Sequence, residues 1–224
     1  LQPCAMDVME TLGLALAALL IEALIGYPGW LYAVIGHPVG WIGRIIGFAE
    51  RKLNVSGADR RGRGWALMAG LLLAVGLCAL ALQVSLGGNL FGLAALALIA
   101  STLVAQRSLY AHVADVAAAL DHSLEDGRAA VAHIVGRNVE ELDEEGVSRA
   151  AIESLAENFS DGIVAPTFWL ALLGLPGAAL YKAINTADSM IGHKTERYRD
   201  FGFAAAKIDD VANWPAARIA GALI

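Results

Sequence analysis

Long runs almost free of charge alternate along this chain with short segments dense in it. Residues 7–28, 65–86 and 90–105 are apolar over lengths that suit membrane-crossing helices, and a tight Gly87-Gly88-Asn89 turn joins the last two. Glu22 interrupts the first run. A carboxylate inside a span costs several kcal/mol against lipid, so Glu22 is expected to face protein or lie near the headgroups. The stretch that follows the first run carries Pro28 and Pro38 and an aromatic set, Trp30, Tyr32 and Trp41, of the kind found at interfaces. That pattern predicts an interfacial turn followed by a helix lying along the membrane over 39–53. A last apolar run begins near residue 211 and reaches Ile224 before it is long enough to span, as expected of a truncated chain. Pro215 is expected just inside the start of that helix.

Residues 107–162 read as a cytoplasmic helical segment. Leu109, Val113, Val116, Leu120 and Leu124 have helical spacing, as do Val131, Ile134, Val135, Val139 and Leu142, with Asp126-Gly127 as the break between them. Asn138 and Glu141 resemble a capping pair, and the acidic run 140–145 a solvated turn. Ser148 is the expected cap of a further helix whose apolar stripe is Ile152, Leu155, Ala156 and Phe159. On its other side Glu153, Glu157 and Asp161 recur every four residues. Like charges at that spacing repel unless a cation or basic group joins them; a solvated acidic face is the plain alternative. His112, His122 and His133 are read as structural or surface residues.

Composition sharpens the class. At 224 residues, 57% hydrophobic, 17% charged and a mean hydropathy of +0.57, the chain is an integral membrane protein. A net charge of −6 without a basic arm argues against nucleic acid as a partner and leaves membrane lipid as the surrounding one. Cys4 and Cys78 are too far apart, and too differently placed, to suggest a disulfide framework or a metal knuckle. The first apolar run lacks the marks of a cleaved signal and reads as a retained anchor.

Charge also decides topology. Arg51, Lys52, Arg60, Arg61 and Arg63 outnumber Glu50 and Asp59, which marks their loop as cytoplasmic. A full crossing by 163–183 would put Lys194, Arg197, Arg199 and Lys207 outside, and the passage is broken at Gly174, Pro176 and Gly177 into arms of about 11 residues, each half a bilayer deep. Residues 163–190 are therefore expected to form a re-entrant helical hairpin. The fold class is all-α: a polytopic integral membrane protein, one membrane-embedded domain over 1–224.

The hairpin would bring two polar stretches to one side. Asn185 and Asp188, one turn apart on a helix that Gly192 is expected to end, suit a hard cation such as Mg²⁺ that shares its oxygen ligands with phosphates. Lys194, Arg197 and Arg199 would then contact phosphate, unless this is only a capped helix end with a charged loop. Asp209 or Asp210 would cap the next helix or add to this polar site. His37, before Pro38, is extended and points out of any helix.

Four motifs in this order carry a resemblance: GHPV at 36–39 with ER and LN soon after, AENFSDGIVAPTFW at 156–169, YKAINTADSMIGH at 181–193 and DDVANWPAARI at 209–219. Over nearly its whole length the chain resembles the adenosylcobinamide-phosphate synthases, membrane enzymes of cobalamin biosynthesis. The resemblance implies ATP-dependent amide formation between a propionate of a corrinoid substrate, adenosylcobyric acid, and aminopropanol phosphate. The charge balance and the hairpin put the site on the cytoplasmic face of the cell membrane, and the resemblance implies association with other late cobalamin-pathway membrane enzymes. It departs from the family at Tyr27, where an acidic residue commonly precedes the proline, and in ending before family members do. With ATP as cosubstrate and Mg²⁺ as cofactor, Glu157, Asp161 and Asp188 become candidate metal ligands. Asn158 and Asn185 would be amide ligands or substrate orienters, and His193, then His37, the base that takes the amine proton. No GxxxxGK[ST] or GxGxxG sequence is present, so any nucleotide site is of another kind. Two rivals remain, a transporter, whose half-helices also end in charge, and a non-catalytic membrane regulator on the same scaffold.

Overall fold

The computed structural model describes residues 6–55, 59–136 and 138–224; Cys4 lies outside them. Among these residues the protein is all-helical, with five helical stretches long and apolar enough to cross a membrane. Helix α1 (Val8–Ile25) starts on a reciprocal cap in which Asp7 accepts from the Glu10 N–H and Glu10 from the Asp7 N–H. Short α2 (Gly29–Ile35) and α3 (Pro38–Leu53) follow, separated at Gly36, whose φ of 72° only glycine adopts readily. Helices α4 (Arg60–Leu86) and α5 (Leu90–Ser101) form the antiparallel pair expected from the Gly-Gly-Asn turn.

The soluble-looking segment departs from the expected boundaries. The break after α6 (Gln106–His122) stands at Ser123, which caps α7 (Leu124–Val131), and Asp126-Gly127 lies inside that helix. Ser123 wins because its hydroxyl satisfies a first-turn N–H that Asp126-Gly127 could not. Asn138 accepts from the N–H of Glu140, a local turn rather than a helix cap. Helix α8 (Glu144–Phe159) is capped by Asp143, five residues before the expected Ser148. Its buried face is Val147, Ala150, Ala151 and Ser154, packed with Val116 and Val131, while Ile152 is exposed. Small residues allow this close approach; the larger apolar stripe does not face the cluster.

A π-turn over Ser160–Val164 leads into α9 (Ala165–Ile191), which is two helices meeting at Gly174 (φ 69°, ψ −156°). The arms fold back on each other. Asn185 donates to Asp161, 24 residues earlier, at 3.4 Å, whereas a straight helix would separate them by about 36 Å. The break is confined to Gly174, so the second arm, 175–191, is about 25 Å long rather than the half-depth piece expected, and Pro176 sits in its first turn, where no N–H is needed. At the tip, Gln83 near the far end of α4 accepts from the Leu175 N–H at 2.8 Å, and Thr11 donates to the Ala171 carbonyl at 2.7 Å. These bonds satisfy backbone groups that the break frees at membrane depth.

Helix α10 (Phe203–Leu223) begins earlier than expected and carries Pro215 in its interior. The proline removes the N–H that would bond Val211, and the Trp169 indole donates to the next carbonyl, Ala212, at 3.1 Å. Asp209 and Asp210 therefore lie within this helix and do not cap it.

Candidate active site

Both mouths of the hairpin and the start of α10 meet in one polar cluster. Asp161 comes from the π-turn, Lys182, Asn185 and Asp188 from a ridge on the return arm, and Asp209 and Asn213 from α10. Wider spacing in the π-turn re-aims a side chain relative to a regular helix, and here it turns Asp161 toward Asn185. Tyr181, buried, donates to Asn213 Oδ1 at 2.7 Å, and the Asn213 amide donates to Asp209 at 2.8 Å. Asp188 lies within electrostatic reach of His193, Asp210 and Asp161. Helix α9 ends at Gly192 as expected, and a Cβ there would stand 1.9 Å from an Asp188 oxygen.

The predicted residues divide into three groups. Asp161, Asn185 and Asp188 come together, and His193 stands exposed at the end of their ridge. Glu157 does not join them: its exposed side chain lines a separate cavity of about 220 Å³ with Ser154 and Gly136. Asn158 is turned back into its own helix, donating to Ser154 O and Oγ at 2.9 and 3.2 Å. Arg197 corrects the phosphate assignment most clearly, because its guanidinium is taken by the buried Glu50 carboxylate through three contacts of 2.9 to 3.1 Å. Asn54 and Arg60 both donate to the Arg197 carbonyl, and Arg60 also donates to Asn54 at 2.8 Å. This latch fastens the 192–202 loop to α3 and α4. Lys194 and Arg199 lie exposed on the latched loop.

A protein cage for Mg²⁺ is not present, since no three His, Cys, Asp or Glu side chains among the described residues converge as ligands. The donor set still fits Mg²⁺ bound in its common way, by one or two carboxylates together with a substrate phosphate. Asp209 Oδ1 is buried with no hydrogen-bond partner, within electrostatic reach of three further carboxylates, an arrangement that a cation would stabilise.

Lys182, on that same ridge of the return arm, also lines a cavity of about 490 Å³ with His37, Tyr27, Glu22 and Arg107. Glu22 faces protein as expected: it accepts from the N–H groups of Gln106 and Arg107 at 3.0 to 3.2 Å and so caps α6. Tyr27 donates to the Gly36 carbonyl at 2.6 Å and meets the His37 ring edge-on at 4.5 Å. Sequence reasoning missed Lys182, Glu50 and Asn54 as working residues, although all three lie in the motifs quoted above. A lysine inside an apolar arm was the available signal for the first.

Comparison with known proteins agrees with the motifs. The family described as CobD/Cbib protein matches residues 15–224. The cobalamin biosynthesis protein CobD of Brucella anthropi is 52% identical over 211 residues, covering 92% of this chain and 64% of that protein. CobD of a Sinorhizobium species is 48% identical over 228 residues (96% and 70%), and that of Rhodobacter capsulatus 47% over 214 (95% and 68%). The chain thus spans about two thirds of the length of these relatives. No solved structure matches.

Proposed function

The chain belongs to the CobD/Cbib family, and from that premise we propose that it acts in cobalamin biosynthesis as an adenosylcobinamide-phosphate synthase, an ATP-dependent ligase joining adenosylcobyric acid to aminopropanol phosphate. The observation that carries this reading is the meeting of Asp161, Asn185 and Asp188 at the base of the hairpin, beside Asp209. A corrinoid carboxylate oxygen would take the terminal phosphoryl group of ATP and release ADP. The amine nitrogen would then form the amide bond at the acyl carbon, phosphate leaving as the C–O bond breaks and the amine proton passing to a base.

Asp161 and Asp188 would hold Mg²⁺, which when bound would neutralise phosphate oxygens. Asn185, fixed by its bond to Asp161, orients substrate, and exposed Lys194 and Arg199 contact phosphates from the loop above. His193, beside Asp188, takes the amine proton; His37 is not placed to do so, because its Nδ1 already accepts the Val39 N–H. Asn54 and Arg60, beside the basic residues Arg51, Lys52, Arg61 and Arg63, hold the same loop, which supports a site opening to the cytoplasmic face.

Membranes holding the protein, incubated with adenosylcobyric acid, aminopropanol phosphate and Mg-ATP, are expected to yield the amide by mass spectrometry. Asp161→Asn and Asp188→Asn should each lower kcat about 10²- to 10³-fold while insertion is unchanged. Absence of product from well-inserted protein would reject the ligase, and unimpaired turnover in both variants would reject the site assigned to it.

A further inference from the structure

We infer that the cavity between α1, α3, α6 and the return arm of α9 is an oxyanion site for a phosphate group, with Lys182 as its cation. Nearly every other polar side chain lining it is engaged. Both oxygens of Glu22 accept backbone N–H groups, and Arg107 Nη1 donates to the Ala23 and Leu24 carbonyls at 3.2 and 2.9 Å. The Ser101, Thr102 and Ser108 hydroxyls each donate to a carbonyl one turn back. Among the described residues the Lys182 ammonium makes no hydrogen bond or ion pair, and Asp161 reaches it only through longer-range attraction. An ammonium in an arm of membrane depth is costly without a counter-charge, so the site is built to receive one.

Donor chemistry sets the class of ligand. His37 Nδ1 accepts the Val39 N–H at 3.3 Å, which leaves the ring proton on Nε2 as a donor, and Lys182 lies within electrostatic reach of that ring. Lys182 offers three N–H bonds, and Arg107 lines the same wall with a guanidinium only partly occupied. Donors from three elements outnumber the two oxygens of a carboxylate and match the oxygens of a phosphate. The cavity, about 490 Å³, adjoins a larger apolar groove of about 860 Å³, and the two share Tyr27, Thr102 and Leu103. The phosphate can therefore belong to a free small molecule or to a phospholipid whose acyl chain occupies the groove. The site stands without the ligase reading; only its assignment to aminopropanol phosphate rests on that reading.

Protein in detergent is treated with an amine-acylating reagent, and modification of Lys182 is followed by peptide mass spectrometry, with Lys207, paired to Asp210, as internal control. Inorganic phosphate or aminopropanol phosphate at about ten times its Kd should slow acylation of Lys182 about tenfold and leave Lys207 unchanged. Nanodiscs of phosphatidylcholine with and without phosphatidic acid test the other source: protection by phosphatidic acid alone assigns the site to lipid. Protection by inorganic phosphate with none by aminopropanol phosphate keeps the site and removes the amine of the ligase reading from it. Equal acylation under every phosphate probe overturns the inference. Thermal melting gives the second measurement: the probe that protects Lys182, whether inorganic phosphate, aminopropanol phosphate or phosphatidic acid, should raise the Tm of the wild-type protein and Lys182→Arg but not of Lys182→Met. No rise in wild type, or the same rise in all three, also overturns it.

Discussion

Burial, together with the charges of Asp188, Asp161 and Asp210, pushes the Asp209 carboxyl up to about 6, against the hydrogen bond from Asn213 that holds it down. The protonated form is thus the one the folded protein prefers. Its contribution to stability is complete below the ordinary value of 3.8 and is lost as pH rises through about 6. Unfolding in detergent with a chelator present should therefore show stability falling between about pH 4 and 6, and Asp209→Asn should remove that slope. At this scale the sequence was legible where charge stood in apolar surroundings, as with Asp161 and Asp188. It was illegible where an exposed-looking residue depended on a distant partner: Arg197 read as a phosphate contact because Glu50, 147 positions earlier, cannot be paired with it from spacing.

Among elements, the hairpin and the latch make separable predictions. A methyl group at Gly174 would stand 2.3 Å from the Gln83 side-chain oxygen in a backbone region closed to other residues, so Gly174→Ala should cost about 1–3 kcal/mol of stability, read as a fall in Tm. Gln83→Leu leaves the Leu175 N–H without its acceptor and should cost a similar amount, about 1–3 kcal/mol. Arg197→Ala should lower Tm and speed trypsin cleavage at Lys194 by freeing the loop from Glu50; a raised KM at constant Tm would restore the phosphate role. The hairpin was foreseen because breakers and charge balance both act locally. Its unequal arms were not, because Gly174 alone takes up the turn and Pro176 is tolerated as an opening residue. Helix starts slipped at Ser148 and Pro215 for a related reason: several residues could cap or begin each helix, and packing of small side chains chose among them.

For the whole molecule, sidedness is the measurable property. Lys194→Cys and Asp59→Cys should react with an impermeant maleimide from one membrane face, Gly88→Cys from the other, and a cysteine at Leu173 from neither. Composition made the membrane class plain, and the order of apolar runs gave most of the helices. Which polar faces share a cavity, as Lys182 and His37 do, depends on helix rotation and arm depth that periodicity leaves open. The tie between Gln83 and Leu175 also bears on how the chain is made. A bent segment entering hydrocarbon alone would carry a naked amide at its apex, whereas α4, made earlier, holds an acceptor ready at the matching depth. Biogenesis therefore has a sequence of its own: the early helices must be seated before the dipping pair can descend, and a ribosome releasing 165–191 beside an unseated α4 would leave that pair stranded at the surface.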